Sequence, residues 1–278
     1  MSVRPIALPG RPTHGRPGRS LPAYAAGAAN RVAGVVLVLA LWEVVPHLGL
    51  ISRSALPPLD RVVRAFGDLL GRADLWSAVR ETVTGWAIGL AIAVVAGLVV
   101  GFLIGTIPWA RELTESTIEF LRPIPSVALI PLVVLVYGTD IRSALILVVY
   151  ASFWQMLIQV LYGMQDVDPV VRETARSYRF GALARMRYVV WPTALPYVMT
   201  GLRLAATVAL VLEITAELVI GGRGLGSLLA RAQSSGAIDN TYAIVVITGL
   251  LGVAVNLLAQ RAERAALAWH PAHREVPA

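Results

Sequence analysis

Three shortages limit what this chain can do. It has 278 residues and no cysteine, so neither a disulfide framework nor a thiolate metal site is available to it. It has no lysine either, because all 24 of its basic residues are arginine. A Walker A loop uses a lysine to reach the nucleotide phosphates, so the chain carries no such loop, and Schiff-base chemistry is excluded as well.

Charge is also scarce. Charged residues make up 15% of the chain, apolar residues make up 56%, and the mean hydropathy is +0.68; soluble proteins are about a quarter charged. Six apolar runs can each cross a hydrocarbon core of ~30 Å with some tilt: about 32–50, 83–109, 120–137, 144–164, 195–220 and 242–258. Because backbone groups in lipid must hydrogen bond to one another, we predict an all-α integral membrane protein, a bundle of six transmembrane helices.

The membrane domain, expected over 31–265, has a polar segment at each end. Five prolines and three glycines in residues 1–22 predict a disordered tail over 1–30, and a second tail covers 266–278. Placing both ends in the cytoplasm puts 15 arginines inside and eight outside, which fits the positive-inside rule. The exception is the outer segment 51–80, with five arginines; apolar residues at helical spacing from Leu59 to Leu70 predict an amphipathic helix there.

Small residues recur at every fourth position of the second run. They are Gly85, Gly89, Ala93, Gly97, Gly101 and Gly105. Such a stripe lets another helix approach closely. It therefore predicts tight packing in a multi-helix bundle and does not indicate a substrate.

Two features of the membrane runs are candidates for lining a transport path. Pro125 and Pro131 lie in the third run, where interior prolines either kink a helix or break it beside a cavity. Glu213 and Glu217 share one face of the fifth run, and a charge at a helix centre costs about 2.5–3.5 kcal/mol on insertion scales. These acids either line a water-filled path or reach the outer interface. Arg203, in the same run, is expected to reach the inner surface or to pair with a neighbour.

The connection between the fourth and fifth runs, residues 165–192, is long for a loop in a compact bundle. Asp168 is a candidate N-cap with Pro169 in the first helical position, so a short amphipathic helix should follow. Its apolar face comprises Val170, Val171, Ala175 and Tyr178, and its charged face comprises Arg172, Glu173, Arg176 and Arg179. A charged face is usually only solvated, but this one could instead dock a cytoplasmic partner.

The run Glu173-Thr174-Ala175-Arg176-Ser177-Tyr178, with Val190-Trp191-Pro192 later, resembles the EAA loop of binding-protein-dependent ABC importer permeases. Two residues depart from that motif. Thr174 replaces an alanine, and Arg179 stands where the family usually has glycine. That glycine makes the turn between two short helices, so we expect the turn either to move to Gly181 or to take another shape.

Other segments resemble the sulfonate, nitrate and taurine permease branch, in order, over about residues 38–265. They include Leu41-Trp42-Glu43, Arg122-Pro123-Ile124-Pro125, Thr200-Gly201-Leu202-Arg203 and Gly224-Leu225-Gly226. The resemblance implies the type I importer fold in the bacterial inner membrane. Two permease subunits would form the path, cytoplasmic ATPase subunits would dock on the loop helix, and an extracytoplasmic binding protein would deliver the solute.

On this resemblance, the residues that couple the chain to the ATPase are Asp168, Arg172, Glu173, Thr174, Ala175, Arg176 and Gly181. The chain itself is expected to be a transport subunit rather than an enzyme, with no cofactor and no bound metal. The implied solute is small, such as an aliphatic sulfonate, taurine, nitrate or a pyrimidine-type vitamin precursor, and the sequence does not rank them.

Two other classes of protein compete with this interpretation. A carrier driven by an ion gradient would use Glu213 and Glu217 as proton sites, but it predicts inverted repeats, which are not evident, and leaves the 165–192 loop without a role. An intramembrane enzyme would need a nucleophile with its base, or a metal cluster. The absence of cysteine and the position of three of the four histidines in the tails or beyond the last run argue against it.

The missing lysine generates the first prediction. The purified chain should neither bind nor hydrolyse ATP, because no lysine is present to hold the phosphates. Binding of a fluorescent ATP analogue and release of phosphate should both match a protein-free detergent control. Turnover that persists after chromatography has removed contaminating ATPases would contradict this prediction.

Overall fold

The computed structural model describes residues 21–49, 51–52 and 54–269, and every regular element in these ranges is helical. The helices are α1 Leu21–His47, α2 Leu59–Leu70, α3 Ala73–Thr106, α4 Pro108–Leu121, α5 Ile130–Tyr137, α6 Ile141–Gln165, α7 Pro169–Ser177, α8 Ala182–Arg185, α9 Trp191–Ile220, α10 Leu225–Ser234 and α11 Ile238–Ala266. A 3-10 turn, Ser126–Leu129, precedes α5, and a π-helical segment, Met186–Val190, follows α8. The predicted all-α fold is confirmed.

The described residues up to Leu59 belong to one compact unit. Within it, Trp42 Nε1 donates to the carbonyl of Pro57 at 3.0 Å, and the backbone amide of Leu59 donates to Glu43 Oε2 at 2.7 Å. Helix α1 begins at Leu21, so residues 21–30 are helical and the disordered tail predicted over 1–30 is wrong there. The stretch is rich in alanine, the strongest helix former. Residues 1–20, and 270–278 of the second predicted tail, lie outside the described residues.

The described residues from Asp60 onward belong to the second unit, and its spanning candidates are of two kinds. α3, α6 and α11 are each long and apolar enough to cross a membrane, as predicted for the second, fourth and sixth runs. Two pairs meet the same test only together: α4 with Ser126–Tyr137, bent by 80°, and Ala182–Ile220 with α10, bent by 43°. By length and composition, the described residues thus contain three spans, or up to five if each bent pair is one, rather than six similar crossings.

The first predicted run differs from the others as well. The described apolar part of α1, Ala33–His47, is shorter than the helices that meet the spanning test alone. Glu43 and Pro46, which lie within it, make this run the least uniformly apolar of the six. The amphipathic helix predicted from Leu59 to Leu70 is confirmed as α2, with Val62, Ala65 and Leu69 buried on one side and Val63 exposed on the other.

The third predicted run is two helices rather than one bent helix. α4 begins at Pro108, well before the predicted start at 120, and ends at Leu121. The backbone is extended at Pro125, with φ −64° and ψ 116°, and Pro131 occupies the first turn of α5. Proline cannot donate a helical hydrogen bond and disfavours helix at the residue before it. Three prolines between 123 and 131 therefore break the run, and the two parts meet at 80°.

The small-residue stripe of α3 packs against α6 of the same chain. A Cβ added at Gly89, Gly97 or Gly101 would lie 2.6–2.7 Å from a side-chain atom of Val148, Met156 or Val160, respectively, which is closer than any real contact. Each four-residue step along α3 meets a four-residue step along α6 in the same direction, so the two helices run parallel. The stripe is therefore filled from within the subunit.

α9 packs against α6, and the two helices run antiparallel. Gly163 of α6 lies against Ala194, and Gly201 of α9 lies against Gln159, so a glycine stands at each of these close contacts.

α9 also contacts α3 and α11. The rings of Phe102 in α3 and Trp191 in α9 lie with their centroids 5.7 Å apart. Arg203 Nη1 lies 3.2 Å from Glu263 Oε2 of α11, which confirms that this arginine pairs with a neighbour. The position of α9 is therefore fixed by three long helices.

The α3–α6 contact generates the second prediction. Gly97→Leu and Gly101→Leu should each destabilise the fold by about 1–3 kcal/mol, because the added side chain must displace Met156 or Val160 from a filled site. Thermal unfolding in detergent and the fraction of monodisperse protein would measure the effect.

The matched control is Gly249→Leu in α11, where an added Cβ would meet nothing within 4 Å. Normal unfolding of the Gly97 and Gly101 variants would show that α3 does not depend on close packing against α6. The measurement uses the isolated subunit, so it does not depend on any partner.

Candidate functional site

Two regions of the second unit contain the candidate functional residues: the loop helix α7 with its flanks, and the C-terminal end of α9. α7 begins as predicted. Asp168 is its N-cap, with Oδ1 accepting the backbone amide of Val170 at 2.8 Å, and Pro169 is in the first turn. Thr174 Oγ1 donates to the carbonyl of Val170 at 2.8 Å, so its hydroxyl is satisfied within the helix and the replacement of alanine there is accommodated locally.

The turn after α7 has not moved to Gly181. Arg179 has φ 56°, in the left-handed region, whereas Gly181 has φ −62°. The amide of Phe180 donates to the carbonyl of Ala175, and the amide of Arg179 donates to the carbonyl of Arg176, both at 2.9 Å. These bonds form a Schellman motif, whose left-handed residue is usually glycine. An L-residue with a side chain there costs roughly 1–2 kcal/mol.

Most of the predicted apolar face of α7 is uncovered in this chain. Ala175 is 6% exposed and packs inward, but Tyr178 is 76% exposed, and Val170 and Val171 are exposed as well. Leu183 of α8 is 87% exposed. Within the described residues, Glu173 and Arg176 make no ion pair, and Arg172 Nη2 donates only to the carbonyl of Met164 at 3.4 Å. The loop therefore presents apolar and charged groups together.

A cavity of about 310 Å³ lies behind α7. Thr106 and Met164, near the ends of α3 and α6, form one wall, and Arg172, Arg176 and Arg185 surround the other. The C-terminal ends of α3 and α6 thus share this cavity with three arginines, an arrangement in which the helix dipoles attract the positive charges. The π-helical segment also lines this cavity and continues directly into α9.

Glu217 is buried near the C-terminal end of α9, where its carboxylate joins three helices. Thr82 Oγ1 of α3 donates to its carboxylate at 2.8 Å, and the amide of Gly226 of α10 donates to Oε2 at 2.9 Å. The amide of Leu225 donates to Thr82 Oγ1 at 2.9 Å. The carboxylate therefore acts as an N-cap for α10, supplied by a different helix, because the first amides of a helix have no partner within it.

Close contact with α9 explains both glycines of the Gly224-Leu225-Gly226 segment. Gly224 has φ 116°, and a Cβ there would overlap the Glu217 carboxylate. A Cβ at Gly226 would overlap the carbonyl of Ile214. Both residues lack a side chain so that the start of α10 can lie directly on α9.

Glu213 lies one turn before Glu217 and faces α3 at Gly85, where an added Cβ would overlap its carboxyl group. Its Oε2 is buried without a hydrogen-bond partner among the described residues. Glu213 and Glu217 are 3% and 4% exposed, so neither reaches a water-filled path in this conformation. The structure brings the two predicted acids together, but in contact with α3 and α10.

Pro125 and Pro131 are exposed at the break between α4 and α5. Ile130 and Val133 of α5 pack against Leu147 of α6 and Ala216 of α9, whereas the opposite face of α5 is exposed, with Leu135 at 83%. The broken segment thus lies beside the part of α9 that carries the acids. One side of α5 is held by the bundle and the other is free.

Sequence reasoning missed two groups of residues. The first lines a cavity of about 570 Å³ at the α4 bend and includes Arg111, Glu115, Glu119 and Arg122, with Tyr162 of α6. These four charged residues recur every three or four positions just before the prolines, and this helical spacing was the signal available in the sequence. The second is Thr82, which immediately precedes the second apolar run and which the sequence gave no reason to single out. No group of metal-ligating side chains was found in the part of the chain that is described.

The family described as binding-protein-dependent transport system inner membrane component matches residues 93–266, and the chain belongs to this family. Those residues contain α4 to α11 and most of the α3 stripe. The chain is thus an ABC transporter permease, a multi-pass protein of the inner membrane.

Curated relatives cover most of the chain. SsuC of Escherichia coli (strain K12), whose name assigns it provisionally to aliphatic sulfonate transport, is 31% identical over 238 residues, which are 85% of this chain and 90% of SsuC. The taurine transport system permease protein TauC of the same strain is 29% identical over 241 residues, 85% of this chain and 88% of TauC. The nitrate import permease protein NrtB of Leptolyngbya laminosa is 26% identical over 172 residues, 62% of each chain.

Solved structures share the fold. A chain of the inward-facing MetNI methionine ABC transporter aligns with a TM-score of 0.59 at 19% identity, covering 69% of this chain and 96% of that one. A chain of a bacterial ABC transporter involved in alginate import aligns with a TM-score of 0.60 at 14% identity, covering 87% and 96%. At these identities the likeness concerns the fold alone, and it confirms the predicted importer permease architecture.

The Glu217 network generates the third prediction. Glu217→Ala should destabilise the chain by about 1–3 kcal/mol, because it leaves the Thr82 hydroxyl and the Gly226 amide buried without an acceptor. Glu217→Gln keeps one acceptor oxygen and should lose much less. Thermal unfolding in detergent compares the two, with the exposed Glu112→Ala as a control. Equal melting of the Ala and Gln variants would contradict the capping role.

Proposed function

We propose that this permease couples to a separate cytoplasmic ATPase through α7 and its flanks, residues 165–192. The observation that carries the proposal is the uncovered face of this loop: Tyr178 and Leu183 are 76% and 87% exposed although they are large and apolar. They lie beside Glu173, Arg172 and Arg176, which have no counter-ion among the described residues. Apolar groups rimmed by unpaired charges are typical of a protein interface.

The coupling residues are those of the loop helix and its caps. Asp168 fixes the start of α7, Ala175 anchors it to the bundle, and Thr174 closes its own hydrogen bond, so these three position the helix. Arg172, Glu173 and Arg176 supply charge, and Gly181 starts α8 with a backbone that needs no left-handed turn. ATP binding and hydrolysis belong to the partner, which accords with a chain that has no lysine.

Transport itself needs a second permease subunit, either another copy or a paralogue, and an extracytoplasmic binding protein. The broken segment at Pro125 and Pro131 and the free face of α5, with Leu132 and Leu135, are the part of the path that we assign to this chain. Glu213 and Glu217 support that segment from behind, through Ala216. They are pathway residues only in this indirect sense.

The orientation and the solute complete the proposal. Both termini and the 165–192 loop are placed in the cytoplasm, which leaves 15 arginines inside and eight outside. The solute is a small organic sulfonate, taurine, nitrate or a related small molecule, because SsuC, TauC and NrtB are named for such solutes. A carrier that moves protons on Glu213 and Glu217 is disfavoured, since Glu217 is engaged by Thr82 and Gly226 and both acids are buried.

The fourth prediction tests the docking loop. Glu173→Arg reverses the one acidic charge between Pro169 and Val190, and it should release the ATPase or uncouple hydrolysis from uptake. A hydrogen-bonded interfacial charge that loses its counterpart costs about 2–5 kcal/mol, so a large loss is expected. Pull-down of the co-expressed ATPase subunit and ATP-driven uptake into proteoliposomes are the two measurements.

Glu112→Arg on α4 is the matched control, because Glu112 is exposed, has no ion pair among the described residues and lies outside the loop. It should retain the ATPase and uptake, and both variants should unfold like the parent. If Glu173→Arg retains full association and full uptake, the loop is only a solvated connection and the proposal is wrong.

A further inference from the structure

Arg179 is the one residue other than glycine with a positive φ among residues 21–49, 51–52 and 54–269. It closes α7 in the Schellman motif described above. That motif is made by backbone groups, the amides of Arg179 and Phe180 and the carbonyls of Arg176 and Ala175. A glycine would make the same hydrogen bonds without the cost of a left-handed side chain. The local fold therefore gives no reason for an arginine at this position.

The Arg179 side chain has no partner within the described chain. It is exposed and takes part in none of the ion pairs or side-chain hydrogen bonds described there. Three neighbouring arginines have other surroundings, since Arg172, Arg176 and Arg185 line the cavity behind α7. Arg187 lies over the ring of Tyr188, at 5.8 Å from its centroid. Arg179 is thus a residue with a strained backbone, and its guanidinium has no hydrogen-bond or ion-pair partner among the described residues.

Membrane topology does not explain an arginine at position 179 either. The positive-inside rule counts arginines in a loop and is indifferent to their backbone conformation. Four other arginines between 169 and 190 already satisfy it. Strained residues persist where the surroundings hold them and the strain has a use at a functional contact. A left-handed arginine at the end of α7 differs from an unstrained one in a single respect, the direction in which its guanidinium leaves the helix.

We infer that Arg179 is a specificity contact, directed by its left-handed backbone toward a carboxylate on the docking surface of the ATPase subunit. This inference rests on the proposed coupling role of α7 and adds the chemistry of the partner. The flanking Tyr178 and Phe180 are exposed apolar rings that can exclude water around the contact. With five arginines and one glutamate between 169 and 190, the complementary surface is acidic. Guanidinium binds carboxylate through two parallel hydrogen bonds.

Three substitutions separate the charge from the backbone. Arg179→Gly removes both the charge and the strain, and Arg179→Asn removes the charge but tolerates the left-handed conformation. Arg179→Lys keeps the charge and the strain but loses the bidentate geometry. In the complex with the co-expressed ATPase, Gly and Asn should each weaken association about tenfold, and Lys about threefold. The Gly variant alone should unfold at the same temperature as the parent or higher.

Association is measured by titrating the detergent-solubilised permease with the ATPase subunit at several salt concentrations, and uptake is measured in proteoliposomes. The Gly and Asn variants should also show a weaker salt dependence, because one charge pair is missing. Arg142→Ala, at the opposite end of α6 and 76% exposed at its side chain, is the control and should match the parent in both assays.

The outcomes distinguish this inference from the proposed function. If Glu173→Arg releases the ATPase while Arg179→Gly binds and transports within about twofold of the parent, the docking loop stands and the role of Arg179 is overturned. If neither variant affects association, both fail. If Arg179→Gly reduces uptake only in vesicles containing phosphatidylglycerol and leaves ATPase binding intact, the contact is with lipid and the inference is again overturned.

Discussion

The approach of α3 to α6 is the constraint on which the rest of the membrane domain depends. Glycines replace side chains along one stripe of α3, and the side chains of α6 fill the space that is left. In lipid there is little hydrophobic drive between helices, so close van der Waals contact of this kind provides much of the cohesion. α6 also packs against α9, through a second pair of glycines, and α9 in turn contacts α10 and α11. Both candidate regions are therefore placed by one packed layer.

The two regions are built by different physical devices. The loop helix α7 has satisfied caps and one buried residue, and its other large apolar side chains are exposed. α10 has no exposed cap, because a carboxylate from α9 and a hydroxyl from α3 reach its first amides. The first arrangement leaves an apolar face uncovered among the described residues, and the second is closed within the chain.

Much of this could be read from the sequence, because the relevant signals are local. Hydrophobic run length predicted five of the helices, the Asp168-Pro169 pair predicted the start of α7, and the small-residue spacing predicted close packing. The features that the sequence could not predict depend on contacts between residues that are far apart in the chain. Proline in the third run predicted either a kink or a break, and only the packing of α5 on α6 and α9 decides for two helices at 80°.

The same limit applied to the candidate site. Whether Glu217 faces water or a helix N-terminus depends on Thr82, which lies 135 residues away in the chain. The position of the turn after α7 was left open between 179 and 181, since propensity alone disfavours an arginine in a left-handed turn. The backbone hydrogen bonds of the Schellman motif outweigh that propensity. The conformational propensity of a single residue is therefore a weak guide to where a helix ends and turns.

α9 has a mechanical consequence. Its 30 residues make a rod of about 45 Å that starts at the π-helical segment beside the loop cavity and ends at the Glu217 network. One end continues from α8 through the π-helical segment, and the other is followed by α10. Between its ends α9 is held against α6, from Ala194 at Gly163 to Ala216 beside Leu147. A displacement of the loop would therefore reach α10 only together with these α6 contacts, so one continuous helix joins the two candidate regions mechanically.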